Sequence, residues 1–419
     1  MYGAAQRTVG GAARVLGKPR TSGRANLPLR ELASWANEVA NFPPLALLFP
    51  RGANVDRRKF LQYGFAAGAA CVFGGAPSAY AAAVSASLSI EAADVEMIDG
   101  EVVFQILFFG QGGPRPTLRA VEGDQVSITV LNNDARSHGF AIPGVPAATI
   151  SAIAPGTARS VSFTAPRGGT YLYIDHTRAP VNRLLGLFGA FVVAPRTPTT
   201  NAGALTPFSR ALHTPAIAAL FDALGPSTEF PGLPWRAHRE RVWLFSQIDP
   251  VLNRRVDAGQ AIDPATVLRT FAPRYFTLNG KSGFDASHDP ATYADGYLGE
   301  PLIFRVANAG LATHSPHIHG NHVFELSGIN AQGVQVLRDN IIERDTWVMA
   351  PLDRKDILLP FKRPNDIPYA AYPPVQERFP LKYPMHCHTE MSQTAGGGNY
   401  PQGIITDWEL LGPTTPAER

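Results

Sequence analysis

A chain of 419 residues with 45% hydrophobic residues, 39 glycines and 37 prolines has the size for two or three domains and the composition of a globular, turn-rich protein, which excludes a disordered chain. Its formal charge of +3 is unevenly spread: residues 1–81 carry 10 Lys and Arg against 3 Asp and Glu, leaving 27 against 31 beyond them. That slightly acidic remainder offers no basic footprint, so no nucleic-acid partner is expected.

The first 81 residues contain VDRRKFLQYGFAAGAACVFGGAPSAYAA, in which Arg57 and Arg58 precede an apolar Gly/Ala-rich stretch and Ala79-Tyr80-Ala81 forms a small-residue cleavage signature. The stretch resembles a twin-arginine export signal. It predicts an N-terminal extension and signal peptide over 1–81, a periplasmic or secreted product, and no stable membrane span after processing. With Cys71 inside the signal, Cys387 becomes the sole cysteine of the mature chain. A lone thiol in an oxidising compartment cannot form an intrachain disulfide, so a ligand role explains it best.

From residue 86 the chain runs as short β-segments separated by turns: SLSIEAADVEMIDG, VVFQILFFG, TLRAVEGDQVSITVLNN, ARSVSFTAP, GTYLYIDH and LFGAFVVAP. Residues 196–240 are rich in Pro, Thr and Ala and read as a linker with one short helix at 214–224. A second β-series follows in RVWLFSQI, RYFTLNG, PLIFRVANAG, HVFELSGI, RDTWVMAP, KDILLPF and GIITDWELLG. Regularly spaced short strands predict an all-β protein of two similar β-sandwiches, one over 82–195 and one over 241–419.

Chemistry concentrates in the histidines. His138 stands just after a strand in LNNDARSHGFAIPG, and His176 ends GTYLYIDH. His314, His317 and His319 form ATHSPHIHG, while His386 and His388 flank Cys387. In a strand, alternate residues share one face with Cβ atoms about 7 Å apart, so each H-x-H pair presents two imidazoles together and Cys387 points the other way. Imidazoles clustered without a metal would leave nitrogens unpaired, which points to metal binding. His213, His238, His288 and His322 stand alone and read as ordinary surface or core residues. No Ser-His-Asp order, phosphate loop or zinc-finger spacing competes, and GQGGP and AGGGN read as turns.

The segments SLSIEAADVEMIDG, TLRAVEGDQVSITVLNN, HSPHIHG and MHCH resemble the multicopper oxidases, the laccase-like cupredoxin proteins, over residues 86–195 and 240–412. The resemblance implies tandem cupredoxin-like Greek-key sandwiches, a type 1 copper that takes electrons from substrate, and a three-copper cluster held by four H-x-H pairs that reduces oxygen. Here the first pair reads Arg136 and His138, the second Ile174 and His176, the third His317 and His319, and the fourth His386 and His388. The resemblance gives one copper to His176, His319 and His386, its partner to His138 and His388, and leaves His317 for the third position. Arg136 places a permanent cation where that third metal would bind.

For the type 1 copper, His314 and Cys387 match, but Ser392 stands where a second histidine is expected and Gly397 where the axial methionine falls. Met385 or Met391 would be the substitutes. The expected protein is therefore an exported copper-binding oxidoreductase with roughly one or two copper ions per chain, an eroded type 1 site, a small-molecule reductant and dioxygen as partners, and a closed homotrimer as assembly. Copper nitrite reductase is the nearest other enzyme, yet it needs a cysteine in the first domain, and none lies between 82 and 386. The non-enzymatic alternative is a copper carrier or a copper-free exported scaffold of the same fold.

Overall fold

The computed structural model describes residues 82–363 and 378–413. Arg57, Arg58, Ala79 and Ala81 therefore lie outside the described residues. Each half is a pair of β-sheets. In the first half, one sheet places Ala83–Glu96 between Val102–Gly110 and Gln125–Asn132, and the other carries Leu118–Val121, Phe188–Ala194, Gly169–Ile174, His138–Ile142 and Val145–Ile153 in that order. Alternation produces the sandwich: Val126, Ile128 and Val130 turn inward while Gln125, Ser127 and Thr129 face out. Phe163 from one sheet meets Phe191 of the other edge to face at 6.0 Å.

The second half repeats the plan. A seven-stranded sheet holds Glu240–Ile248 between Tyr275–Leu278 and Leu302–Asn308, and a four-stranded sheet runs Ala294–Gly296, Ile405–Leu410, Leu381–Cys387, Pro316–Ile318. Each half contains the same two parallel pairings amid antiparallel neighbours. Residues 83–90 run with 125–132 and 191–194 with 118–121, just as 240–245 run with 303–308 and 294–296 with 408–410. A strand joined in parallel across a sandwich needs a crossover between sheets, which makes the topology of the Greek-key type.

The two halves meet through apolar strand faces, with Leu172, Ile174, Phe188 and Ala190 packed on Leu244, Ala307 and Ala309. The buried Arg183 guanidinium donates to the carbonyls of Ala309 and Gly310, and Glu240 bridges Arg119 and Arg305. Segment 196–240, read above as a linker, packs as a covering layer. Its helix Pro215–Ala223 starts with Thr214 Oγ1 accepting from Ile217 N, and buries Ile217, Leu220 and Phe221. With Phe208, Phe230 and Trp235 they lie on Ile303, Phe324, Leu326 and Leu358 of the seven-stranded sheet. The apolar residues scattered among its prolines hold it down, so it cannot act as the flexible tether its composition suggested. Among the described residues no helix is long and apolar enough to cross a membrane.

Candidate metal centre

Strands Pro316–Ile318 and Leu381–Cys387 pair antiparallel, with His317 opposite His386, Pro316 opposite Cys387 and Ile318 opposite Met385. On its other side the same strand meets a third segment, since isolated antiparallel bridges set His314 opposite Met349 and His317 opposite Thr346. Period-two alternation then sorts the residues. Ile318, Met385 and Cys387 turn into the core, whereas His317, His319, His386 and His388 share the opposite face.

On that face the four imidazoles interlock. The His317 ring lies 4.6 Å from His319 and 4.5 Å from His388, and His386 stacks on His388 at 4.9 Å. His319 Nε2 faces His386 Nε2 at 3.0 Å. Two such atoms need a proton or a cation between them. One ligand atom each from His317, His386 and His388 also lies within 4.8 Å of the others. Burial, followed by the neighbouring imidazoles, pushes His319 and His386 down to about 4. His317 is lowered as well, chiefly by burial. Rings that resist protonation keep lone pairs for a metal. An all-imidazole set suits copper or zinc rather than magnesium or calcium, so the residues fit copper.

Surrounding groups aim the rings. His317 Nδ1 meets Thr346 Oγ1 at 3.0 Å and Asp345 Oδ2 at 3.4 Å, which directs its Nε2 inward to the cluster. Trp408 Nε1 donates to the His319 carbonyl at 2.7 Å. His388 is exposed, and its backbone N–H donates to Ser315 O. Sequence reasoning missed Thr346 and Asp345; the only signal for them was DTW in RDTWVMAP, which carries no metal motif.

The first half behaves differently at His138. His138 is 1% exposed, with Nδ1 on Asp175 Oδ2 at 2.8 Å and Nε2 on Asp134 Oδ2 at 2.9 Å. Both ring nitrogens are engaged by buried carboxylates. Asp175 also accepts from Gly139 N, Thr177 and Asn182, while Asp134 takes Arg136 in a two-pronged pair. Burial pushes the Asp134 carboxyl up, but hydrogen bonds from Arg136 and His138 outweigh it and hold it well below the usual carboxylate range. His176 is half-buried with Nδ1 unpartnered, and neither it nor His138 belongs to the group of ligand atoms above.

On the core side, His314 Nδ1 lies 3.5 Å from Cys387 Sγ, and Ser315 N donates to that sulfur at 3.3 Å. Burial pushes His314 down to about 4. Ser392 is buried with its hydroxyl on Thr389 O at 2.7 Å; Met391 is 56% exposed, and Met385 lies in the apolar core.

A multicopper oxidase family model matches residues 92–198. The copper-containing nitrite reductase of Alcaligenes xylosoxydans xylosoxydans is 25% identical over 305 residues, covering 68% of this chain and 80% of that protein. Among solved structures, the blue copper oxidase of Nitrosomonas europaea superposes with a TM-score of 0.55 at 20% identity, over 78% of this chain and 86% of that one. The copper nitrite reductase of the same organism gives 0.51 at 18% identity, over 78% and 94%. The two superpositions share the tandem-sandwich fold. With a copper-compatible imidazole cluster at the edge of that fold, the chain is similar to the multicopper oxidases and copper nitrite reductases, and its residues 92–198 match the multicopper oxidase family model.

Proposed function

We propose that the protein is an exported copper oxidoreductase with roughly one or two copper ions per chain, oxidising a small-molecule reductant with dioxygen as acceptor. The approach of His319 Nε2 to His386 Nε2 carries this reading, because it aims two proton-resistant rings at one point. His317, His319, His386 and His388 would hold copper, which supplies reversible one-electron chemistry. The protein's own part is to keep the imidazoles neutral, with Thr346 and Asp345 orienting His317 and the exposed His388 leaving one side open. Oxygen uptake with small phenols or ascorbate tests it. We expect His319→Ala to abolish copper-dependent uptake and His322→Ala to keep it; equal uptake in both would contradict the assignment.

A copper carrier without turnover, or a copper-free scaffold, is the second reading, favoured by the engaged nitrogens of His138 and by Ser392 in place of a ligand. Copper bound without oxygen uptake would favour the carrier. Export is supported by the RRKFL signature, and Arg57→Lys with Arg58→Lys should trap precursor in the cytoplasm. A normal periplasmic yield from that double variant would count against it. A closed homotrimer would bring a neighbour's first half to the imidazole face, and heterologous contacts that close give such symmetry. Light scattering tests it, with a monomer that holds copper tightly as the opposing result.

A further inference from the structure

We propose that the metal centre is built without His138 and without sulfur, the first ring having become a clamp between buried carboxylates and the Cys387 pocket having become plain core. The inference rests on copper binding at the His317, His319, His386 and His388 face, and narrows which residues share in it.

The clamp is complete in the structure. His138 joins Asp134 at 4% side-chain exposure to Asp175 at 0%, one carboxylate on each ring nitrogen. Asp175 is further fixed by Gly139 N at 3.1 Å, Thr177 N at 2.8 Å and Asn182 Nδ2 at 2.8 Å. A metal on His138 would have to displace one carboxylate from its ring nitrogen, although the other hydrogen bonds of both carboxylates hold them in place against the ring. Arg136 reinforces the arrangement, because its guanidinium lies on Asp134 and reaches the Val256 carbonyl at 3.0 Å, placing a fixed cation beside the ring.

The sulfur side is closed by a different device. Gln247 Oε1 accepts the backbone N–H groups of Leu311 at 2.6 Å and Ala312 at 3.1 Å, which leaves its amide nitrogen turned to His314 Nε2. His314 Nε2 is then the acceptor and Nδ1 carries the proton, facing Cys387 Sγ. Phe245 and Phe276 cover the ring at 5.5 and 6.5 Å. Ser392 spends its hydroxyl on Thr389, Met391 turns to solvent and Gly397 has no side chain. The pocket therefore offers a hydrogen-bonded thiol and imidazole in an apolar shell, with Ser315 N–H on the sulfur and the Gln247 amide on the far ring nitrogen.

What remains is a single sheet face whose ligands all come from two paired strands. Its outer row is Val348, Ser315 and His388, of which Val348 is 52% exposed and His388 is exposed. That row is the open edge by which a reductant would approach.

The test is anomalous diffraction at the copper edge from crystals of the copper-loaded wild-type protein, with copper per chain measured in Cys387→Ala and Cys387→Ser. We expect copper at the His319 and His386 nitrogens, His138 still between Asp134 and Asp175, and no loss of copper in either cysteine variant. Copper bonded to His138 or to Cys387 Sγ, or most of the copper lost on replacing the cysteine in a folded protein, would overturn the inference while leaving the copper reading intact. A protein that takes up no copper at all would instead overturn both, and metal content alone separates that case.

Discussion

His319 Nε2 and His386 Nε2 meet at 3.0 Å although the sheet register pairs His386 with His317. The contact is diagonal, reaching across one row of the antiparallel pair, within the span that long side chains bridge between strands. A diagonal contact is sensitive to the tilt of each ring, so the groups that set that tilt govern how well the face holds metal.

Thr346 is one such group. Replacing it with Val removes the hydroxyl at 3.0 Å from His317 Nδ1 and leaves the more exposed Asp345 as sole partner. Loss of an orienting contact of this kind costs about tenfold in metal affinity. Competition with a copper chelator should show that drop with an unchanged thermal midpoint; unchanged affinity would remove Thr346 from the site.

Acid stability follows from His314. Burial pushes it down to about 4 from an ordinary value of 6.5, so the unfolded chain binds a proton in that interval that the folded chain refuses. Stability is then undiminished above pH 6.5 and falls progressively towards pH 4. Urea midpoints of metal-free protein at pH 7.5, 5.5 and 4.5 should decline in that order, and His314→Phe should lessen the slope, with His319 and His386 supplying the rest. A slope unchanged in the variant would assign the loss to other groups.

His138→Ala should destabilise the first half, because it removes one hydrogen-bond partner from each of the buried carboxylates Asp134 and Asp175, although Arg136 still pairs with the first and Gly139, Thr177 and Asn182 with the second. Removing one hydrogen-bonding partner from a buried network that is otherwise satisfied costs about 1 to 3 kcal/mol. Chemical denaturation should show it, and a change under about 0.5 kcal/mol would mean water reaches the carboxylates.

Gly320→Ala should loosen His319. Gly320 holds a φ of +70°, and a Cβ there would lie 2.5 to 2.7 Å from the Tyr383 ring. Tyr383 stacks on Trp408 at 4.9 Å, and Trp408 anchors the His319 carbonyl. The variant should fold with weaker copper binding and altered tryptophan fluorescence; wild-type behaviour in both would show that the turn has room.

The sandwich halves and the C-terminal imidazole face were legible because both depend on the same period of two. An H-x-H pair must share a face in any strand, and the alternation in QVSITVLN says which side is core. The fate of His138 was not legible, since it hangs on Asp175, 37 residues away, and on the turn that brings Asp134 back to the ring. Gln247 is 67 residues from His314 and carries no motif. Segment 196–240 misled through composition, its prolines concealing Phe208, Phe221, Phe230 and Trp235, which pack only against a sheet formed elsewhere in the chain.

Copper content and electron paramagnetic resonance of the purified mature protein, set beside His319→Ala and His322→Ala, test the imidazole-face assignment most directly. We expect roughly one or two copper ions per chain with nitrogen hyperfine structure, no intense blue absorption, and loss of copper in His319→Ala but not in His322→Ala. A blue protein with a full multicopper complement, or one that keeps its copper when His319 is removed, would contradict the assignment.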